Sequence, residues 1–196
     1  MRLGVFGGTF DPIHFAHLYV AQAALEELPL DAVLFTPTGS HRHRRVQPWA
    51  PLADRVEMVR RAIAGNPAFR FEDADIEGTG YTADLIPRLR AKHAGHELHF
   101  IAGADSLVAT PWRRLDEVFA ALDGFVVATR PGVDGALPRE IERHVRRLEI
   151  PALFTSASSI RQLAAAGKPI RYLVPDEVAA YVAARRLYRS HEVAPS

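Results

Sequence analysis

The 196-residue chain contains no cysteine, which excludes disulfides, a thiolate nucleophile and any thiolate metal site. That absence suits a reducing compartment, and a cytoplasmic location is the expectation. No apolar run approaches the roughly 18 residues of a membrane span, and the opening "MRLGVF" is broken by glycines before it reaches signal-peptide length. Charge of one sign is also missing: the formal net charge is +1, too small for the basic field that drives non-specific nucleic-acid binding. The expected partners are therefore small molecules, with no nucleic acid and no membrane. A homo-oligomer is left open.

What is present suits one globular core, with 48% hydrophobic and 24% charged residues at a single-domain length. Runs rich in Val, Phe and Ile at 2–6, 32–36, 69–74, 97–102, 124–129 and 151–155 read as strands. Segments of helical period fall at 17–28, 52–64, 82–93, 112–122, 139–148, 158–166 and 176–184. Pro87 is expected to end or kink the third. The alternation predicts an α/β fold: a doubly wound, mostly parallel, Rossmann-like sheet with helices on both faces. One domain is expected over 1–196, with a helical C-terminal part from about 156. Such sheets bind ligands beyond the carboxyl ends of their strands, where strand order reverses. The segments expected there are GGTFDPIH, TPTGSHRHRR, GADS, RPG and SASSIR, which are rich in small, basic and hydroxyl residues.

Gly7 and Gly8 follow a strand and precede a helix, so backbone N–H groups could approach a phosphate at the positive end of the helix dipole. A tight turn that merely packs well is the plainer reading, and the spacing matches neither the dinucleotide fingerprint nor the P-loop. His14 and His17 at the helix start shift the balance, because both could donate hydrogen bonds to an anion there. A zinc pair is poorly supported without carboxylate or cysteine nearby. "SASSIRQL" at 156–163 suggests a second anion-binding helix start, with Ser156 or Ser158 as cap and Arg161 one turn in. "HRHRR" at 41–45 lies in the irregular stretch 37–51 and suits a binding loop better than a nucleic-acid patch.

The run from Gly7 to His17 resembles the GGTFDPxHxGH signature of the nucleotidyltransferase superfamily, and in particular the bacterial nicotinate-nucleotide adenylyltransferases. Similar matches follow in order: His43 and Arg44, "RVEM" at 55–58, "YT" at 81–82, "GADSL" at 103–107 with Trp112, "RPG" at 130–132, "SASSIR" at 156–161 and "YLVPDEVAAYVAARRLY" at 172–188. The chain departs from the pattern at Ala16, where the family has glycine, and at Arg44, where lysine is common.

The resemblance implies the nucleotidyltransferase fold and adenylyl transfer from ATP to nicotinate mononucleotide, giving deamido-NAD and pyrophosphate. It implies His17 foremost, with His14 and Arg161, as the catalytic donors. For ATP it implies Gly7, Gly8, Thr9, Phe10, His43, Arg44, Gly103, Asp105, Ser158 and Arg161; for nicotinate mononucleotide, Tyr81, Thr82, Trp112 and Arg130. Mg²⁺ is expected to be held mainly by ATP phosphates and water, with no protein metal cage. Trp112 would face the flat pyridine ring, and the helix start at Thr82 would favour a carboxylate over an amide. The alternatives are transfer to nicotinamide mononucleotide or phosphopantetheine, and a non-catalytic nucleotide sensor.

Overall fold

A computed structural model describes residues 1–39, 48–104, 107, 112–129, 139–151 and 155–189. The strands are β1 (Arg2–Gly8), β2 (Ala32–Pro37), β3 (Phe69–Phe71), β4 (Glu97–Gly103), β5 (Gly124–Thr129) and β6 (Arg146–Glu149). They pair in the order β3-β2-β1-β4-β5-β6, every pair parallel. The helices among the described residues are α1 (Phe15–Glu27), α2 (Leu52–Ile63), α3 (Thr82–Lys92), α4 (Leu115–Ala120), α5 (Arg139–Glu142), α6 (Ala157–Ala165) and α7 (Asp176–Ala184). None is long and apolar enough to cross a membrane.

Parallel strands covered on both faces have apolar side chains on both, and the period of two sorts them into two layers. Phe6, Val33, Phe35, Ile101, Val126 and Ala128 pack with α1, α2, α6 and α7. Their neighbours Val5, Leu34, Phe100, Phe125 and Val127 pack with α3, α4 and Ile141 of α5. The expected doubly wound sheet is present. Because β1 lies between β2 and β4, strand order reverses at β1 and β4, and their carboxyl ends open the crevice.

One expectation fails. The helix expected at 139–148 stops at Glu142, and Arg146–Glu149 forms the sixth strand on β5. Ile141, Val145 and Leu148 have helical spacing but belong to opposite faces: the first two pack in one layer and Leu148 in the other. The exposed charges of β6 suit an edge strand. Of the strand expected at 151–155, residues 152–154 lie outside the described residues. Pro87 neither ends nor shortens α3, which runs on to Lys92. Its ring is exposed, while Ala83, Leu85, Ile86 and Leu89 bury the opposite stripe, and that burial offsets the lost backbone bond.

Candidate active site

Strand β1 carries the chain to the crevice, and bonds from four distant segments hold the turn that follows. Arg55 of α2, only 1% exposed, donates through Nη1 to the carbonyls of Thr9 (2.8 Å) and Thr38 (2.9 Å). Burial pushes its guanidinium pKa down, and the nearby Asp11 carboxylate and Tyr188 hydroxyl pull it back up. The Asp11 carboxylate accepts the N–H groups of Trp49 (2.7 Å) and Ala50 (3.2 Å) and the hydroxyl of Tyr188 (2.8 Å). The Asp11 carbonyl accepts Nη1 of Arg161 at 2.7 Å. The second helix start is thereby joined to the first across 150 residues of chain.

Gly8 has a packing reason. A Cβ there would meet the Phe10 ring at 3.1 Å. Phe10 itself sits at a left-handed φ of 49°, with its ring buried against Phe6, Phe35 and His17. A Cβ on Gly103, at the carboxyl end of β4, would point into open space. Gly8 and Gly103 thus differ: the first admits a protein ring, whereas a Cβ on the second would meet no atom of the described residues within 4 Å.

His14 is the N-cap of α1, and its ring stacks on that of His17 with centroids 3.7 Å apart. The His14 backbone N–H donates to His17 Nδ1 at 3.2 Å. An N–H can only donate, so Nδ1 must present its lone pair, and neutral His17 then carries its hydrogen on Nε2. Phe10 and Phe6 set edge-to-face against the imidazole fix its plane. His17 is therefore an oriented Nε2–H donor. Ala16 is buried, so the methyl that replaces the family's glycine is covered by protein. The Phe15 N–H donates to the Leu173 carbonyl, so the first amide of α1 is taken up by the C-terminal part of the chain.

At α6, Ser156 is the cap: its Oγ accepts the Ser159 N–H at 3.1 Å, and Ser159 Oγ accepts the Ser156 N–H. Ser158 is exposed in the first turn. Arg161 is half-buried, its guanidinium 5.9 Å from the centre of the exposed Trp49 ring. Imidazole, guanidinium and helix-start N–H groups form an anion-binding donor set. Among the described residues no group of three or more His, Cys, Asp or Glu could hold a metal ion.

On the other face of the sheet, Tyr81 is the N-cap of α3 and Thr82 begins it. Arg113 lies over the Tyr81 ring at 4.5 Å, and Arg114 pairs with Asp84, which also accepts the Thr79 hydroxyl. These contacts bring Trp112 beside the helix start. Trp112 sets its ring edge-to-face against Phe100 and Phe125, and its buried Nε1–H has no hydrogen-bond partner among the described residues. His43, Arg44, Asp105 and Arg130 lie outside the described residues.

Sequence reading missed Asp75 and noticed Asp11, Arg55 and Tyr188 only as members of the family motifs, without a role. A buried arginine has no local signature, and its partners here are carbonyls set by the fold. Asp75 is buried next to Thr38 and the loop that leads to Tyr81; burial pushes its carboxyl up to about 6, opposed by hydrogen bonds from the Thr38 hydroxyl and Gly80 N–H and by the Arg88 charge. Its carbonyl accepts the N–H of Gly39 at 3.0 Å, where a Cβ would collide with the Ile76 carbonyl.

Comparison with known proteins agrees with this geometry. A profile of the cytidylyltransferase-like family matches residues 5–163. A protein of Symbiobacterium thermophilum described as a probable nicotinate-nucleotide adenylyltransferase is 44% identical, covering 95% of each chain. One of Saccharopolyspora erythraea with the same description is 42% identical over 97% of this chain and 91% of its own. The Plasmodium falciparum nicotinic acid mononucleotide adenylyltransferase complexed with NaAD superposes with a TM-score of 0.77 over 95% of this chain and 97% of its own. At 18% identity that likeness speaks for the fold alone.

Proposed function

The chain belongs to the cytidylyltransferase-like family and, within it, with the nicotinate-nucleotide adenylyltransferases, and on that premise we propose that it transfers the adenylyl group of ATP to nicotinate mononucleotide. A phosphate oxygen of the mononucleotide attacks the α-phosphorus of ATP, the bond to the β-phosphate oxygen breaks, and deamido-NAD and pyrophosphate result. The attacking oxygen is already ionised, so no protein nucleophile is needed. The protein's task is to place two anions in line and to stabilise charge as pyrophosphate leaves.

The observation that carries this reading is the bond from Arg161 to the Asp11 carbonyl, which joins two donor-rich helix starts at one turn. His17 Nε2–H is the donor to the phosphoryl oxygens, with His14 beside it. Arg161 and Ser158 take the outer phosphates, and Gly7, Gly8, Thr9, Phe10 and Gly103 shape the ATP side. His43, Arg44 and Asp105 complete it. Magnesium would fit this site as an ion held by phosphate oxygens and water, since the Asp11 carboxylate is taken up by Trp49, Ala50 and Tyr188 and His17 and Arg161 are donors. When bound it neutralises phosphate charge.

Tyr81, Thr82, Trp112 and Arg130 take the mononucleotide. Arg113 and Arg114 flank Trp112, and Arg114 cancels the Asp84 charge that would otherwise oppose an incoming carboxylate at the start of α3. An amide would bring N–H donors against those of the helix start and gain nothing from the arginines, so the acid is preferred. We place the reaction in the cytoplasm, in one domain over 1–196.

Pyrophosphate release, measured with ATP and each of nicotinate mononucleotide, nicotinamide mononucleotide and phosphopantetheine, tests the proposal. Clear preference for the first is expected. Equal efficiency on the two mononucleotides would make the enzyme dual-specific, and no release with any acceptor would make the chain a sensor.

A further inference from the structure

Tyr188 lies near the end of the described chain, 177 residues from the turn it touches. Its ring is buried, and its hydroxyl donates to Asp11 Oδ1 at 2.8 Å. The backbone is bent to bring it there: Arg186 and Tyr188 both adopt left-handed φ values, 52° and 65°, which side-chain-bearing residues keep only where the surroundings impose them. Helix α7, just before it, is tied down separately, because the buried Asp54 of α2 accepts both the Tyr181 hydroxyl at 2.7 Å and Arg185 Nε at 3.0 Å. Burial and the Asp11 charge hold the Tyr188 hydroxyl protonated, so it remains a donor.

Asp11 is where these constraints meet. Its carboxylate receives Tyr188, Trp49 and Ala50, and its carbonyl receives Arg161. We propose that Tyr188 is a positioning residue for ATP: it locks the Asp11 carboxylate so that the Asp11 carbonyl presents Arg161 to the phosphates. This rests on the function proposed above. Tyr188 touches no reacting atom; it acts through Asp11.

The outer phosphates that Arg161 holds are already bound before the transition state, so loosening Arg161 raises the KM for ATP by more than it lowers kcat. Tyr188→Phe keeps the ring and removes only the hydroxyl. Steady-state kinetics of this variant should show the KM for ATP raised about five- to tenfold, with kcat and the KM for nicotinate mononucleotide within about twofold. Asp11→Ala, which removes the acceptor, should produce at least the same ATP-selective rise, and adding Tyr188→Phe to it should change little, because the carboxylate through which Tyr188 acts is then gone. An unchanged KM for ATP, an equal rise for both substrates, or full additivity in the double variant would overturn the proposal. Should Tyr188→Phe yield no folded protein, Asp11→Ala alone decides by the same ATP-selective rise or its absence. An unmodified enzyme that releases no pyrophosphate would instead refute the functional reading.

Discussion

The turn after β1 and the start of α3 pack on opposite faces of the sheet, and they are held in opposite ways. Around the first, Phe10, Asp11, His14 and Arg55 are each at most 5% exposed, and the side-chain bonds to Thr9 and Asp11 reach across 38 to 177 residues of chain. Around the second, Arg114 and Asp84 are 48% and 32% exposed, and Arg113 and Tyr81 add a cation–π contact. Buried donors in low dielectric hold a fixed geometry, whereas exposed charges are screened and adjustable. The difference suits the two proposed tasks. In-line transfer needs the phosphates placed closely, while telling an acid from an amide needs mainly the right sign of potential.

Breaking the buried side should cost most. Arg55→Ala strands the carbonyls of Thr9 and Thr38 and leaves Asp11 without its buried cation, so urea unfolding should show a loss of about 3–5 kcal/mol. A loss under about 1 kcal/mol would mean that the turn holds without it.

Asp75, between the two regions, gives a pH-dependent effect. Its folded-state carboxyl is raised from 3.8 to about 6, so its contribution to stability is fully present below about pH 4 and is lost as pH rises through 6. Two units at about 1.4 kcal/mol each make this roughly 3 kcal/mol. Asp75→Asn removes that dependence. Its unfolding free energy relative to the unaltered protein should therefore climb between pH 4 and 6 and level off above. A difference that stays flat across this range would contradict the assignment.

The smallest effect belongs to the exposed side. Arg114→Ala should change stability by about 1 kcal/mol or less, as exposed pairs do. It should relax the preference for the acid by less than about tenfold, read as the ratio of kcat/KM for the two mononucleotides. A large loss of stability would mean that this region is as rigid as the first.

Much of this was legible in the sequence, for reasons that differ by region. Strands β1, β2, β4 and β5 are continuous apolar runs because both their faces are buried, and they stand out against polar helices. Strand β6 hides behind charges, with Leu148 its one buried residue. The histidines and Arg161 were visible because their residue types cluster at helix starts. Asp75 was not, and Asp11, Arg55 and Tyr188 were visible only as members of the family motifs, since the role of each is defined by a partner brought near only by folding. Gly8 was visible for a reason that proved incomplete: the glycine also admits the Phe10 ring.

The central claim is that His17 acts through Nε2–H while its Nδ1 is held by the backbone. The kcat of His17→Ala, His17→Asn and His17→Gln, measured with saturating ATP and nicotinate mononucleotide, tests it most directly. The Gln amide nitrogen reaches about as far as Nε2, whereas that of Asn lies near Nδ1. The Ala variant should lose about 10²–10³-fold in kcat with ATP binding little changed, Asn should do no better, and Gln should recover part of the loss. Near-normal turnover in His17→Ala, or recovery by Asn rather than Gln, would contradict it.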